Sequence, residues 1–158
     1  MKSHRYTGRV MLASVATLLA GCAGSPLQTA QVTYENTIRN IVTEHCAGCH
    51  GANAPSMADF KNEKDKYTQA MLGPRMDTYE NLMVMVNGSD TGAIMRRLDD
   101  GANTKDGKPG NMHKYLGKDD AQRATNLALF KRWVGGWNLK RGNEISEEEK
   151  KAVLAPRS

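Results

Sequence analysis

Residues 46–50 read Cys-Ala-Gly-Cys-His, and no other five residues restrict the chain so far. Two cysteines three positions apart lie about one helical turn from each other, so both sulfurs can reach the two vinyl edges of one porphyrin. His50 follows at once and is carried under the macrocycle, where an imidazole nitrogen can meet the iron. C-x-x-C-H is the attachment signature of c-type haem. The expectation is one covalent haem c, with Cys46 and Cys49 as thioether donors and His50 as proximal iron ligand. Three rivals fit less well. A redox C-x-x-C needs a βαβ context, and no strand run flanks this one. A structural zinc site needs four ligands, and no second paired cluster exists. A Cys46–Cys49 disulfide would close a very small loop and leave His50 without a purpose.

The remaining cysteine, Cys22, lies in a different kind of segment. Lys2, Arg5 and Arg9 precede an apolar run of eleven residues, Val10 to Ala20. That run is too short to span a bilayer and the right length for the core of an export signal. It ends in Leu-Leu-Ala-Gly-Cys, which resembles a bacterial lipobox. The resemblance implies a signal peptide over residues 1–21 and lipid on Cys22; an ordinary signal peptide cut nearby is the alternative. Residues 22–32 then read as a small, polar tether. The signal removes three of the 22 basic residues and leaves 19 basic against 17 acidic. The basic character of the whole chain is therefore no sign of a nucleic-acid partner, and no dense basic tract with interleaved aromatics supports one.

Periodicity points to an all-α domain. Tyr34, Ile38, Ile41 and Val42 recur at helical spacing and predict a helix from Thr33 to His45 that leads straight into Cys46. Residues 51–60 read as a loop. A short helix is expected from Lys64 to Leu72, stopped by Gly73-Pro74. Another spans Thr78 to Val86, with Asp77 and Glu80 as a capping pattern. A third covers Thr91 to Leu98. Residues 99–117 are rich in glycine and lysine without periodicity, a length of structureless chain that is usually functional or disordered. Asp119 and Gln122 read as the cap pair of a last helix that buries Ala124, Leu127, Phe130 and Val134 and ends at Gly135-Gly136. Residues 143–158 read as a charged tail, either a surface helix or loose. Aromatic residues make up 6% of the chain, so a large cofactor is expected to add apolar volume to the core.

The stretch "IRNIVTEHCAGCHG" resembles the first helix and haem-binding turn of a class I cytochrome c, and the resemblance covers about residues 33 to 140, giving a monohaem domain over 33–142. It implies three to five helices around one haem, with the last helix crossing the first and Phe130 or Trp133 against the Ile38–Ile41 stripe. It also implies a methionine sulfur on the sixth iron position, supplied by a loop ahead of the last helix. Of nine methionines, Met112 fits that placement best, in "KPGNMHKYLG" with Pro109 and Gly110 stiffening the turn. The family often has proline directly beside this methionine; here the neighbours are Asn111 and His113. Met95, Met76 and His113 remain alternatives, whereas Met71, Met83 and Met85 fall on helical stripes where methionine fills cores. Trp133 and Tyr115 are candidates for hydrogen bonds to a haem propionate.

Two protein ligands would saturate the iron and leave no room for substrate. The resemblance therefore implies an electron carrier rather than an enzyme, working with redox protein partners. With the lipid on Cys22, it is expected to be held in the bacterial cell envelope, facing the periplasm or the outer surface. Lys105, Lys108, Lys114 and Lys118 surround the candidate ligand loop and would steer an acidic partner. The alternatives are a haem subunit of a larger oxidoreductase and a haem enzyme or gas-binding protein with a displaceable sixth ligand.

Overall fold

The computed structural model describes residues 30–158. The expected signal peptide, Cys22 and the tether as far as residue 29 lie outside the described residues. Residues Gln31–Ser158 form one compact unit. It is all-α, with no strand among the described residues beyond a single bridge between Gly135 and Val153. No helix there is long and apolar enough to cross a membrane.

The N-terminal helix starts at Thr33. The Thr33 hydroxyl accepts the Asn36 N–H at 3.2 Å, and the Asn36 side chain accepts the Thr33 N–H at 2.9 Å, a reciprocal cap. The first turn, Tyr34–Ile38, is π-wound, because Thr33 O accepts from both Thr37 and Ile38. The chain then tightens into α1, Arg39–His45. The expected stripe of Tyr34, Ile38, Ile41 and Val42 is buried throughout. The haem motif follows as one short turn, α2, Ala47–His50.

Short helices account for a larger number of elements than the expected three to five. Residues 51–60 are not all loop, since Ser56 caps α3, Met57–Asn62, by accepting the Asp59 N–H at 3.1 Å. Then come α4, Lys64–Gln69, α5, Tyr79–Val86, and α6, Ala93–Leu98. The cap of α5 is Thr78, which accepts the Asn81 N–H at 3.2 Å. Asp77, expected to share that task with Glu80, instead pairs with Arg75 at 2.9 Å. Met71 is not core filling but stands 72% exposed beyond α4. A 3-10 turn, His113–Tyr115, precedes α7, Asp120–Val134, which Asp119 caps through the Gln122 N–H at 2.8 Å as expected. Helix α7 packs on the opening turn of the N-terminal helix, and Phe130 and Trp133 lie in one buried cluster with Ile38 and Ile41.

The charged 143–158 segment is folded into the domain. It carries α8, Glu147–Lys151, with a Ser146/Glu149 capping box. Beyond it, the chain runs across the ends of two other helices. The carbonyls of Trp133 and Val134 at the end of α7 accept N–H groups from Ala155 at 2.9 Å and Leu154 at 2.8 Å. The N–H groups of Tyr34 and Glu35 donate to Pro156 O at 2.9 Å and Arg157 O at 3.0 Å. These are the backbone groups that a helix end cannot satisfy internally. The buried Trp133 indole also donates to Pro156 O, at 2.8 Å, so it is not free for a propionate. Trp133→Phe leaves that carbonyl one partner short and is expected to cost about 1–3 kcal/mol of stability, measured by guanidinium unfolding of the haem-loaded protein.

Candidate haem attachment site

The motif grows directly out of α1. Cys46 N–H still bonds back to Val42 O at 2.9 Å, and the His50 N–H reaches Cys46 O at 2.9 Å, so the chain leaves α1 by a turn at Cys46 and re-enters helix through Cys49 to the histidine. Cys46 packs half-buried against the core, Cys49 is exposed, and neither is in a disulfide. Burial, reinforced by the neighbouring Cys49, pushes the Cys46 thiol up to about 11, so it is a neutral S–H at neutral pH.

A second segment fixes the turn from outside. Gly73 N–H donates to Cys49 O at 2.9 Å, and Met76 N–H donates to His50 O at 2.9 Å. Between them, Pro74 O lies 2.7 Å from His50 Nδ1. A carbonyl only accepts, so Nδ1 carries the ring proton and Nε2 keeps its lone pair. Burial pushes the imidazole below its ordinary value, with the Pro74 hydrogen bond opposing, and the ring is neutral at neutral pH. Gly73 lies flat against the ring: a Cβ there would overlap Cε1 and come within 2.6 Å of Nδ1 and 2.8 Å of Nε2. In the sequence, Gly73-Pro74 reads as a helix stop. Their work on the histidine is done by a carbonyl and by the lack of a side chain, and neither shows in the sequence which distant residue it serves.

The donor set fits a covalently attached haem. Two unpaired thiols sit one turn apart, followed by an imidazole with one nitrogen anchored and the other available for metal. The sixth-ligand candidates are scattered. Met95 is 1% exposed and Met76 is 5% exposed, and both are built into the apolar core. Met76 also belongs to the segment tied to the His50 backbone. Met112 is half-buried at the edge of the core, its N–H held by Arg97 O at 3.0 Å. His113 is half-buried in the turn that follows. Six residues past Met112, Lys118 Nζ lies 4.0 Å from Glu44 Oε1, two residues ahead of Cys46. The loop leaving Met112 thus returns to the motif end of α1. His45 is turned toward Glu44, with Nε2 3.6 Å from its carboxylate. Tyr115 is 54% exposed under the Lys114 ammonium.

A family model described as PccH cytochrome c matches residues 33–153. Among solved structures, the monoheme cytochrome PccH from Geobacter sulfurreducens is 49% identical, with a TM-score of 0.76 over 80% of this chain and 99% of that one. No curated protein sequence matches. Gly73→Ala puts a methyl group into the space of the imidazole. It is expected to cost about 1–3 kcal/mol and to shift the haem absorption bands, read by thermal unfolding and optical spectra of the haem-loaded variant.

Proposed function

The chain belongs to the PccH cytochrome c family, and on that premise we propose that it is a lipid-tethered carrier that passes single electrons between redox proteins of the bacterial cell envelope. Membership brings one covalently bound haem c and electron transfer. The bound haem supplies one-electron exchange at its iron; the chain supplies attachment, ligands and surroundings. Cys46 and Cys49 would hold the macrocycle through thioethers. His50 would bind the iron through Nε2, with Nδ1 kept protonated by Pro74 O. Met112 would supply the second iron ligand through its thioether sulfur.

The observation that carries the reading is the anchored, neutral imidazole beside two unpaired thiols. Met112 is favoured over Met76 and Met95 because those two side chains are spent on core packing. A neutral sulfur stabilises Fe(II) and raises the potential, and a saturated iron has no site for substrate. The exposed lysines Lys105, Lys108, Lys114 and Lys118 give the same loop a basic rim for an acidic partner, with association that slows as salt rises. The tether rests on the lipobox-like residues 18–22.

Two measurements test this. Met112→Ala is expected to abolish the weak long-wavelength sulfur-to-iron charge-transfer band, lower the midpoint potential and open the reduced protein to carbon monoxide, which the parent protein should ignore. Prompt carbon monoxide binding by the parent would point to a gas-binding or catalytic haem instead. Cys22→Ser is expected to move the protein from the detergent phase to the aqueous phase in a phase-partition assay of expressing cells.

A further inference from the structure

The 99–112 segment looks loose in sequence and is tightly closed in the fold. Asp99 follows α6 and is 0% exposed. Its carboxylate takes four hydrogen bonds, two on each oxygen. Oδ1 accepts the Gly101 N–H at 2.9 Å and the Asn103 N–H at 3.2 Å. Oδ2 accepts Asn103 Nδ2 at 2.8 Å and the Trp137 indole Nε1 at 2.9 Å. Its backbone carbonyl takes the Gly110 N–H at 2.8 Å, where the loop comes back. Two residues on, Met112 N–H reaches Arg97 O at 3.0 Å, and Asn111 Oδ1 accepts from Arg97 Nη1 at 2.9 Å. The close return depends on Gly110, since a Cβ there would overlap the Arg96 and Arg97 carbonyls. Inside the loop, the Thr104 hydroxyl is 3.0 Å from both Gly101 O and Lys108 O.

We propose that Asp99 is the positioning residue of the distal ligand loop: one buried carboxylate and its own carbonyl pin the outgoing and the returning chain, so that the Met112 sulfur is presented in one place. The inference rests on Met112 as the sixth ligand. Trp137 belongs to the same device. It comes from just beyond α7, so it ties the loop to the end of that helix. The Lys131 ammonium lies 5.7 Å above its ring. Burial alone would push the Asp99 carboxyl up, but the Asn103, Trp137 and Gly101 donors outweigh it and hold the carboxyl below its ordinary value. A side chain of the same shape with one oxygen cannot replace it. The Asn103 amide can flip to face an amide nitrogen, but the Trp137 N–H cannot, so Asp99→Asn sets donor against donor.

The test uses the haem-loaded protein with Asp99→Asn, Trp137→Phe, Met112→Ala and Asp99→Asn/Met112→Ala. Asp99→Asn is expected to weaken the sulfur-to-iron band. It should also speed carbon monoxide binding to the reduced protein and raise amide exchange at Gly101, Asn103, Gly110 and Met112 roughly tenfold, the scale of one lost charged hydrogen bond. Amides of α5 and α7 should keep parent protection. Trp137→Phe should move the same signals less, and it decides the matter should Asp99→Asn not fold. The double variant should bind carbon monoxide at the rate of Met112→Ala alone, because Asp99 acts only through Met112. With Met112→Ala silent in the band, the Met112 reading falls and this inference with it. With Met112→Ala behaving as expected but Asp99→Asn (or, where that variant does not fold, Trp137→Phe) retaining band, carbon monoxide inertness and exchange, only the Asp99 inference falls. Additive rates in the double variant also overturn it.

Discussion

One carbonyl oxygen joins the two ends of this domain. Pro156 O accepts the Tyr34 N–H at the start of the first helix and the Trp133 indole N–H near the end of α7. Around it, residues 154–157 supply N–H and C=O groups to two helix termini that would otherwise need water or side-chain caps. Arg157 adds an ion pair to Glu80 at 2.7 Å, and Tyr79 donates to Ala155 O at 2.9 Å, so α5 is tied in as well. In a chain with 6% aromatics, this strap stands where a larger apolar interface would serve in other small domains. The position of α1 follows from it, and with α1 the position of the motif at its far end.

The haem site uses the same economy of backbone. Residues 73–76 hold the Cys49 and His50 carbonyls and the His50 ring. Residues 99–112 do the equivalent for the other candidate ligand, with a buried carboxylate at the centre in place of a proline carbonyl. Each candidate iron ligand thus has a supporting segment of its own, and the two segments come from different parts of the chain. Support of this kind fixes ligand tautomer and orientation, which a bare list of ligands does not convey.

What the sequence disclosed follows from the physics of each signal. The stripe Tyr34, Ile38, Ile41, Val42 was legible because burial on one helix face imposes a period, and the Asp119–Gln122 cap because a local hydrogen bond needs particular residues at fixed spacing. The motif was legible because covalent attachment constrains residue type and separation together. The Ser56 cap carries the same kind of local signal as Asp119, but the six-residue helix behind it buries no side chain and so shows no period. Asp99 leaves a weaker signal. Its partners at Gly101 and Asn103 are close in sequence, but Trp137 is far away, and an acid in a charged run looks solvated. The strap and Pro74 were invisible, since main-chain hydrogen bonds across long separations leave no trace in side-chain identity.

The imidazole of His50 is gripped on two counts, by a carbonyl on Nδ1 and by Gly73 against its face. With iron on Nε2, a ring so confined would have little freedom to swing as that iron gained or lost an electron. The rearrangement that His50 itself would add to each one-electron exchange is correspondingly small.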